Sequence, residues 1–179
     1  MLSSMRRLML LRHAKSDRSA PGAVDRDRPI EARGKEAAPR IGTYMARHGL
    51  MPDLVVCSPA RRTRETWSLA AAAFSKPPSV TFEERVYNAT ANTLLQVARK
   101  TANDVHSLLI IGHNPGLQDL AALLIASGDV EARERLHEKF PTAGLVVIDF
   151  AYDDWQKLHR QAGRLDRFVT PRSLTSATD

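Results

Sequence analysis

Leu8-Met9-Leu10-Leu11-Arg12-His13-Ala14 is the stretch around which the rest of the chain is organised. Its four aliphatic residues are apolar at every position rather than at alternate ones. That pattern suits a strand covered on both faces, as strands of a parallel sheet are. The run ends abruptly in a guanidinium beside an imidazole, followed by Lys15 and Ser16. A fixed cation at the carboxyl end of a buried strand is where open α/β sheets bind anions. Two further stretches repeat the arrangement. The strand at 53–57, with its run Leu54-Val55-Val56-Cys57, leads into Ser58-Pro59 and then Arg62, and the strand at 106–111 closes on Gly112-His113 before Asn114-Pro115. Ser-Pro and Asn-Pro at these points read as helix N-caps followed by proline in the first helical position.

The intervening segments alternate helix and strand. After a first strand at 5–12, residues 13–30 read as a long loop, punctuated by Pro21, Gly22 and Pro29 and charged at Asp25-Arg26-Asp27-Arg28. A loop of that length directly after a strand often helps to form a site. Ala37, Ala38, Ile41, Tyr44, Met45 and His48 then follow helical spacing up to Gly49. Pro39 fits that helix only near its amino end. Helices are expected at 59–74, 93–101, 115–127 and 130–139. Further strands are expected at 79–82, 144–150 and 165–169, with Trp155 packed between the last two. This alternation predicts an α/β fold, a three-layer α/β/α sandwich with a mostly parallel central sheet. The 179 residues make one domain, with a loose Ser/Thr-rich tail at 170–179.

Composition narrows the function classes. Hydrophobic residues at 43% and charged residues at 26% describe an ordinary globular chain with a sizeable core. The net charge of +6 would permit nucleic-acid binding, but the basic residues are dispersed and aromatics make up only 6%. No nucleic-acid partner is expected. The single cysteine, Cys57, fits a reducing compartment. No run has the length of a membrane span or of a signal-peptide core, so the expected location is cytoplasmic, away from membranes.

Arg12, His13, Ser58, Arg62 and His113 all follow the carboxyl ends of strands, which lie along one edge of a doubly wound sheet. Two helix amino termini would add backbone N–H groups and positive dipole ends there. Two arginines and two histidines in such a place make a pocket for a dianion such as a phosphoryl group, which arginine grips bidentately. Cys57 is one candidate nucleophile, but a thiolate with an arginine loop needs arginine six positions on, where the chain has Thr63. No acidic and histidine cluster has metal-ligand spacing, and no GxxxxGK[ST] loop is present. What remains is a histidine nucleophile, passing through a phosphohistidine intermediate, with no metal and no cofactor.

These motifs resemble those of a known family. Arg12-His13-Ala14 is similar to the RHG signature of the histidine phosphatase (phosphoglycerate mutase-like) superfamily. Ser58-Pro59-Ala60-Arg61-Arg62-Thr63-Arg64-Glu65-Thr66 resembles its second motif, and Gly112-His113-Asn114-Pro115-Gly116 its third. Leu-Arg-His-Ala-Lys-Ser, Asp27-Arg28-Pro29-Ile30 and Arg33-Gly34 most resemble the short SixA-type phosphohistidine phosphatases. The resemblance implies a phosphoglycerate mutase-like fold with His13 as nucleophile and Arg12, Arg62 and His113 as its phosphate pocket. It also implies small polar phosphate contacts at Ser16 and Ser19, and a general acid at Glu84 within Glu84-Arg85-Val86-Tyr87, with Glu83 adjacent. Ala14 stands where the signature has glycine. The implied partner is a phosphorylated protein carrying phosphohistidine. A small-molecule phosphomonoesterase of the same superfamily is the alternative, and a non-catalytic phosphate or nucleic-acid binding module, motivated only by the basic charge, a more distant one.

Overall fold

The structure, a computed structural model, describes residues 5–19, 22 and 24–176. Seven strands form one sheet in the order β3-β2-β4-β1-β6-β7-β5. They are β1 (Arg6–Arg12), β2 (Leu54–Cys57), β3 (Ser79–Phe82), β4 (Ser107–Gly112), β5 (Ile125–Gly128), β6 (Leu145–Phe150) and β7 (Gly163–Val169). The helices are α1 (Ala32–Arg47), α2 (Arg61–Ala71), α3 (Ala91–Arg99), α4 (Gly116–Leu124), α5 (Val130–Glu138) and α6 (Pro171–Ser176). Only β6 runs against its neighbours; the other pairings are parallel. This is the expected three-layer sandwich with a mostly parallel sheet.

The unbroken apolar run of β1 has the expected cause. Leu8 and Leu10 point into a core shared with α3, α4 and α5, while Met9 and Leu11 point into a second core shared with α1 and α2. Trp155 lies in the first of these with Ile148, Phe150 and Leu165, its indole N–H donating to Val105 O.

Several boundaries differ from the sequence reading, each for a local reason. Pro39 lies in the interior of α1, not near its amino end. An interior proline forgoes one backbone hydrogen bond and costs about 3 kcal/mol or more in an isolated helix. Here the buried face of Gly34, Ala38, Ile41, Gly42 and Met45 holds the helix in place regardless. Gly42 lets α1 approach α2 closely, since a Cβ there would fall 2.2 Å from Ala70 O. The helix expected at 115–127 stops at Leu124, because Ile125–Gly128 leaves it to pair with β7 as the edge strand β5. Helix α2 begins at Arg61 rather than at Pro59, and α3 begins at Ala91, capped by the Thr90 hydroxyl accepting from Thr93 N.

Within the expected loose tail, Pro171–Ser176 is helical, and Leu174 packs against the second core. Pro21 and residues 177–179 lie outside the described residues. Among the described residues, no helix is long and apolar enough to cross a membrane.

Candidate active site

Strands β2, β4 and β1 lie side by side and parallel, with Cys57 opposite Ile111 and Arg12 opposite Gly112. Their carboxyl ends therefore open on one edge, and the chain leaves each in a short turn. His13 N still donates to Gly112 O at 3.1 Å, and Ser58 N to Ile111 O at 3.0 Å. The sheet ladder thus continues one residue into the site and fixes where His13 and Ser58 begin. The rings of His13 and His113 end 5.4 Å apart between centroids.

The turn after β1 is clamped from three sides. Ala14 N donates to Thr66 Oγ1 at 2.9 Å, and the Thr66 hydroxyl donates to Arg62 O at 2.6 Å, tying the turn to α2. Ala143 N reaches both Arg12 O and His13 O at 3.0 Å. Ala143 does so at φ 57°, a left-handed conformation that glycine adopts more readily. On the third side α1 arrives through Gly34, where a Cβ would fall 2.5 Å from Lys15 O and 3.2 Å from the Ala14 Cβ. Ala14 is not among the described residues with positive φ, so alanine in place of the usual glycine strains nothing.

His13 is 7% exposed, and its Nδ1 lies 2.8 Å from Ala14 O. A carbonyl only accepts, so Nδ1 carries the proton and Nε2 keeps the lone pair. Burial, reinforced by the charges of Arg62, Arg12 and Arg28, pushes the imidazole down to about 4. At neutral pH His13 is therefore neutral, in the tautomer whose Nε2 can attack.

Arg62 is 2% exposed and spends both terminal nitrogens on Asp25, Nη1 on its backbone oxygen at 2.8 Å and Nη2 on Oδ2 at 3.2 Å. Arg12 donates from Nη1 to Phe140 O at 3.0 Å. His113, 4% exposed, has its Nε2 2.7 Å from Ser58 Oγ, and burial with the Arg62 charge pushes it down to about 3. Three buried nitrogens in this group have no hydrogen-bond partner among the described residues: Arg12 Nε, Arg62 Nε and His113 Nδ1. Buried donors are nearly always satisfied. Three left open around one neutral histidine suit a tetrahedral anion with several acceptor oxygens.

The sequence-predicted residues do not all gather here. Ser16 is buried beside the site, its Oγ accepting from Arg28 Nη1 at 3.0 Å. Ser19 instead turns to Asp17, at 2.6 Å between Oγ and Oδ1. Glu84 has a side chain 68% exposed and bonds to Arg26 through both oxygens. That partner lowers its acidity range below the usual carboxylate value, opposite to the direction that favours a proton donor at neutral pH. Asn114 does more than cap: its Oδ1 accepts from Gln118 N at 3.2 Å while its amide donates to Phe140 O at 3.0 Å.

Other contributors went unread in the sequence. Phe140 takes part through a backbone carbonyl, which leaves no side-chain signature. Asp25 lay inside a charged tetrad, yet its carboxylate meets Arg62, Arg28 and the Tyr87 hydroxyl together. Those bonds, Tyr87's foremost, hold it well below the usual carboxylate range. Tyr87 also packs edge-on against His113 at 5.5 Å between centroids.

Two outcomes follow from this geometry. Burial pushes the Cys57 thiol up to about 12. At neutral pH it is thus a protonated, inert group, so Cys57→Ser keeps kcat within about tenfold, its effect being packing alone. A dead serine variant, with activity in the native protein blocked by a thiol reagent, would reverse that conclusion.

The second outcome concerns stability. Unfolded histidine titrates near 6.5, whereas His13 and His113 in the folded chain do so near 4 and 3. Between those values the unfolded chain takes up protons that the folded one refuses, so stability rises with pH across this window. The contribution is complete above about pH 6.5 and is lost as pH falls towards 4 and then 3. Urea unfolding midpoints from pH 7 to 4 check this. The native curve falls more steeply than that of a His13→Gln/His113→Gln variant, and parallel curves would overturn the assignment.

Comparison with known proteins adds independent support. A profile of the histidine phosphatase superfamily (branch 1) matches residues 8–88. An uncharacterized protein of Mycobacterium tuberculosis is 34% identical over 164 residues, covering 90% of this chain and all of the relative. Among solved structures, the candidate phosphohistidine phosphatase SixA of Agrobacterium tumefaciens is 31% identical, with a TM-score of 0.75 over 93% of this chain and 98% of that one. The corresponding protein of Nakamurella multipartitia is 25% identical, with a TM-score of 0.81 over 93% and 96% of the two chains.

Proposed function

The chain belongs to the histidine phosphatase superfamily, and from that premise we propose that it is a metal-independent phosphatase acting on phosphohistidine in a protein, through a phosphohistidine intermediate on His13. The observation that carries this reading is the set of buried nitrogens on Arg12, Arg62 and His113, unpartnered among the described residues, around a neutral His13.

In the first step the His13 Nε2 lone pair attacks phosphorus, and the bond from phosphorus to the leaving group breaks. Arg12, Arg62 and His113 hold the equatorial oxygens, whose charge rises towards the transition state. In the second step water attacks the phosphoryl group, and Nε2 leaves with its electron pair, regenerating neutral His13 and releasing phosphate. The hydrogen bond from Nδ1 to Ala14 O orients the ring and supports the positive charge it carries while phosphorylated. Charge that elsewhere comes from a metal ion is supplied here by the two guanidinium groups.

Substrate class follows from the leaving group. An alkoxide is a poor leaving group and needs a proton from a positioned acid. The ring nitrogen of phosphohistidine is readily protonated and leaves without one. Glu84 is exposed, ion-paired and of lowered pKa, which favours a substrate that makes little demand on an acid. The net charge of +6 favours approach of an acidic protein domain, an attraction that weakens with salt.

The test is a substrate profile with the native protein and Glu84→Gln. Phosphohistidine peptide is hydrolysed in preference to aryl and sugar phosphates, and Glu84→Gln leaves hydrolysis of both classes within about twofold, because Glu84 is paired to Arg26 rather than placed as an acid. A native preference for a sugar phosphate would move the assignment to a small-molecule phosphomonoesterase. Equal losses on both substrates would give Glu84 a general role.

A further inference from the structure

Ser58 opens the second motif, where its expected task was to cap α2. The helix starts three residues later, with Ala60 in the cap position and no side-chain cap bond. The hydroxyl of Ser58 is instead fully buried and 2.7 Å from His113 Nε2. Its only other partner among the described residues is Ala60 N, which donates to it at 3.3 Å.

Counting donors and acceptors decides where the protons are. Were Nε2 protonated, Ser58 Oγ would receive two N–H groups, and its own hydrogen would have no acceptor among the described residues. With Nε2 unprotonated, the Ser58 hydroxyl donates to it and accepts from Ala60 N, and every group on that side of the ring is satisfied. The remaining ring proton of His113 must then sit on Nδ1, the buried nitrogen with no partner among the described residues.

We propose that Ser58 is a positioning residue that holds His113 in its Nδ1–H tautomer, so that a neutral imidazole donates a hydrogen bond to the transferring phosphoryl group. The inference rests on the site being the phosphate pocket described above. A second histidine could help bind phosphate by being protonated, but burial among Arg62, His13 and Arg12 disfavours that form. A neutral ring would donate from only one nitrogen, and an unguided one could place its proton on the wrong side. The Ser58 hydroxyl makes that choice before substrate arrives. The backbone supports it in turn: Ser58 N is tied to Ile111 O at the end of β4, and Ser58 O accepts the Thr63 hydroxyl at 2.7 Å. The two histidines thus share the Nδ1–H tautomer and use opposite sides of it. Nε2 of His13 is left free to attack, and Nδ1 of His113 is left protonated to donate.

The experiment reads the tautomer directly by nitrogen NMR of the imidazole rings at neutral pH. His113 in the native protein shows a protonated Nδ1 and an unprotonated Nε2. In Ser58→Ala the pattern becomes mixed or inverts, kcat falls on the order of tenfold with KM nearly unchanged, and Ser58→Thr, which keeps the hydroxyl, restores both tautomer and rate. A native His113 protonated at Nε2 overturns the proposal. So does Ser58→Ala with the native tautomer and rate. Should Ser58→Ala fail to fold, the native spectrum still decides. The tautomer is measured without substrate, so a protein that ignores phosphohistidine yet shows Nδ1–H refutes the function and leaves this inference standing.

Discussion

Replacing His13 by alanine lowers turnover by at least about 10⁴-fold, the scale seen when a covalent nucleophile is removed from an otherwise intact site. The fold survives the change. Among the described residues the side chain makes one hydrogen bond, to the carbonyl of its own neighbour Ala14. The bonds that shape the turn, from His13 N to Gly112 O and from Ala143 N to Arg12 O and His13 O, belong to the backbone. A circular dichroism spectrum and thermal midpoint close to native, together with lost turnover, are the expected pair of results. Turnover within tenfold of native in a properly folded His13→Ala protein would remove histidine from the nucleophile's place.

Arg62→Ala is expected to lower kcat/KM by about 10³-fold, in the range found when a single donor to a developing oxyanion is removed. The buried Nε of Arg62 is unpartnered among the described residues, and its Nη1 and Nη2 are held by Asp25. The guanidinium is therefore fixed in plane before substrate binds, which is the condition for stabilising a transition state without rearrangement. Asp25 keeps Arg28 and Tyr87 as partners when Arg62 is lost, so the turn carrying it stays in place. Arg62→Lys restores little, because an ammonium cannot keep two bonds to Asp25 while offering a third in a fixed direction. Recovery to within tenfold in the lysine variant would mean that only a point charge is needed.

The three central strands could be read from the chain because both their faces are covered. Leu8-Met9-Leu10-Leu11 must fill a core on either side of the sheet, and that demand writes an unbroken apolar run into the sequence. The pocket could be read for a related reason: chemistry at strand ends appears as charged residues directly after such runs, and Arg12, His13, Arg62 and His113 do gather there. Pattern failed where tertiary packing decides. Pro39 argues for a late helix start, yet contact with α2 carries α1 through it. Ile125–Gly128 is too short to announce a strand and forms one only because β7 lies beside it. Glu84 matches a motif letter by letter, but a motif does not record burial, and the side chain ends on the surface against Arg26. Ser58 looked like a helix cap in one dimension, and in three its hydroxyl belongs to His113.

The most direct test is to look for the covalent intermediate. Native protein mixed with labelled phosphohistidine peptide and quenched within milliseconds should carry label on His13 alone, in a linkage that acid hydrolyses and base leaves intact, and His13→Ala should carry none. Label on Cys57, label that resists acid, or steady turnover with no labelled protein at any quench time would contradict nucleophilic catalysis by His13.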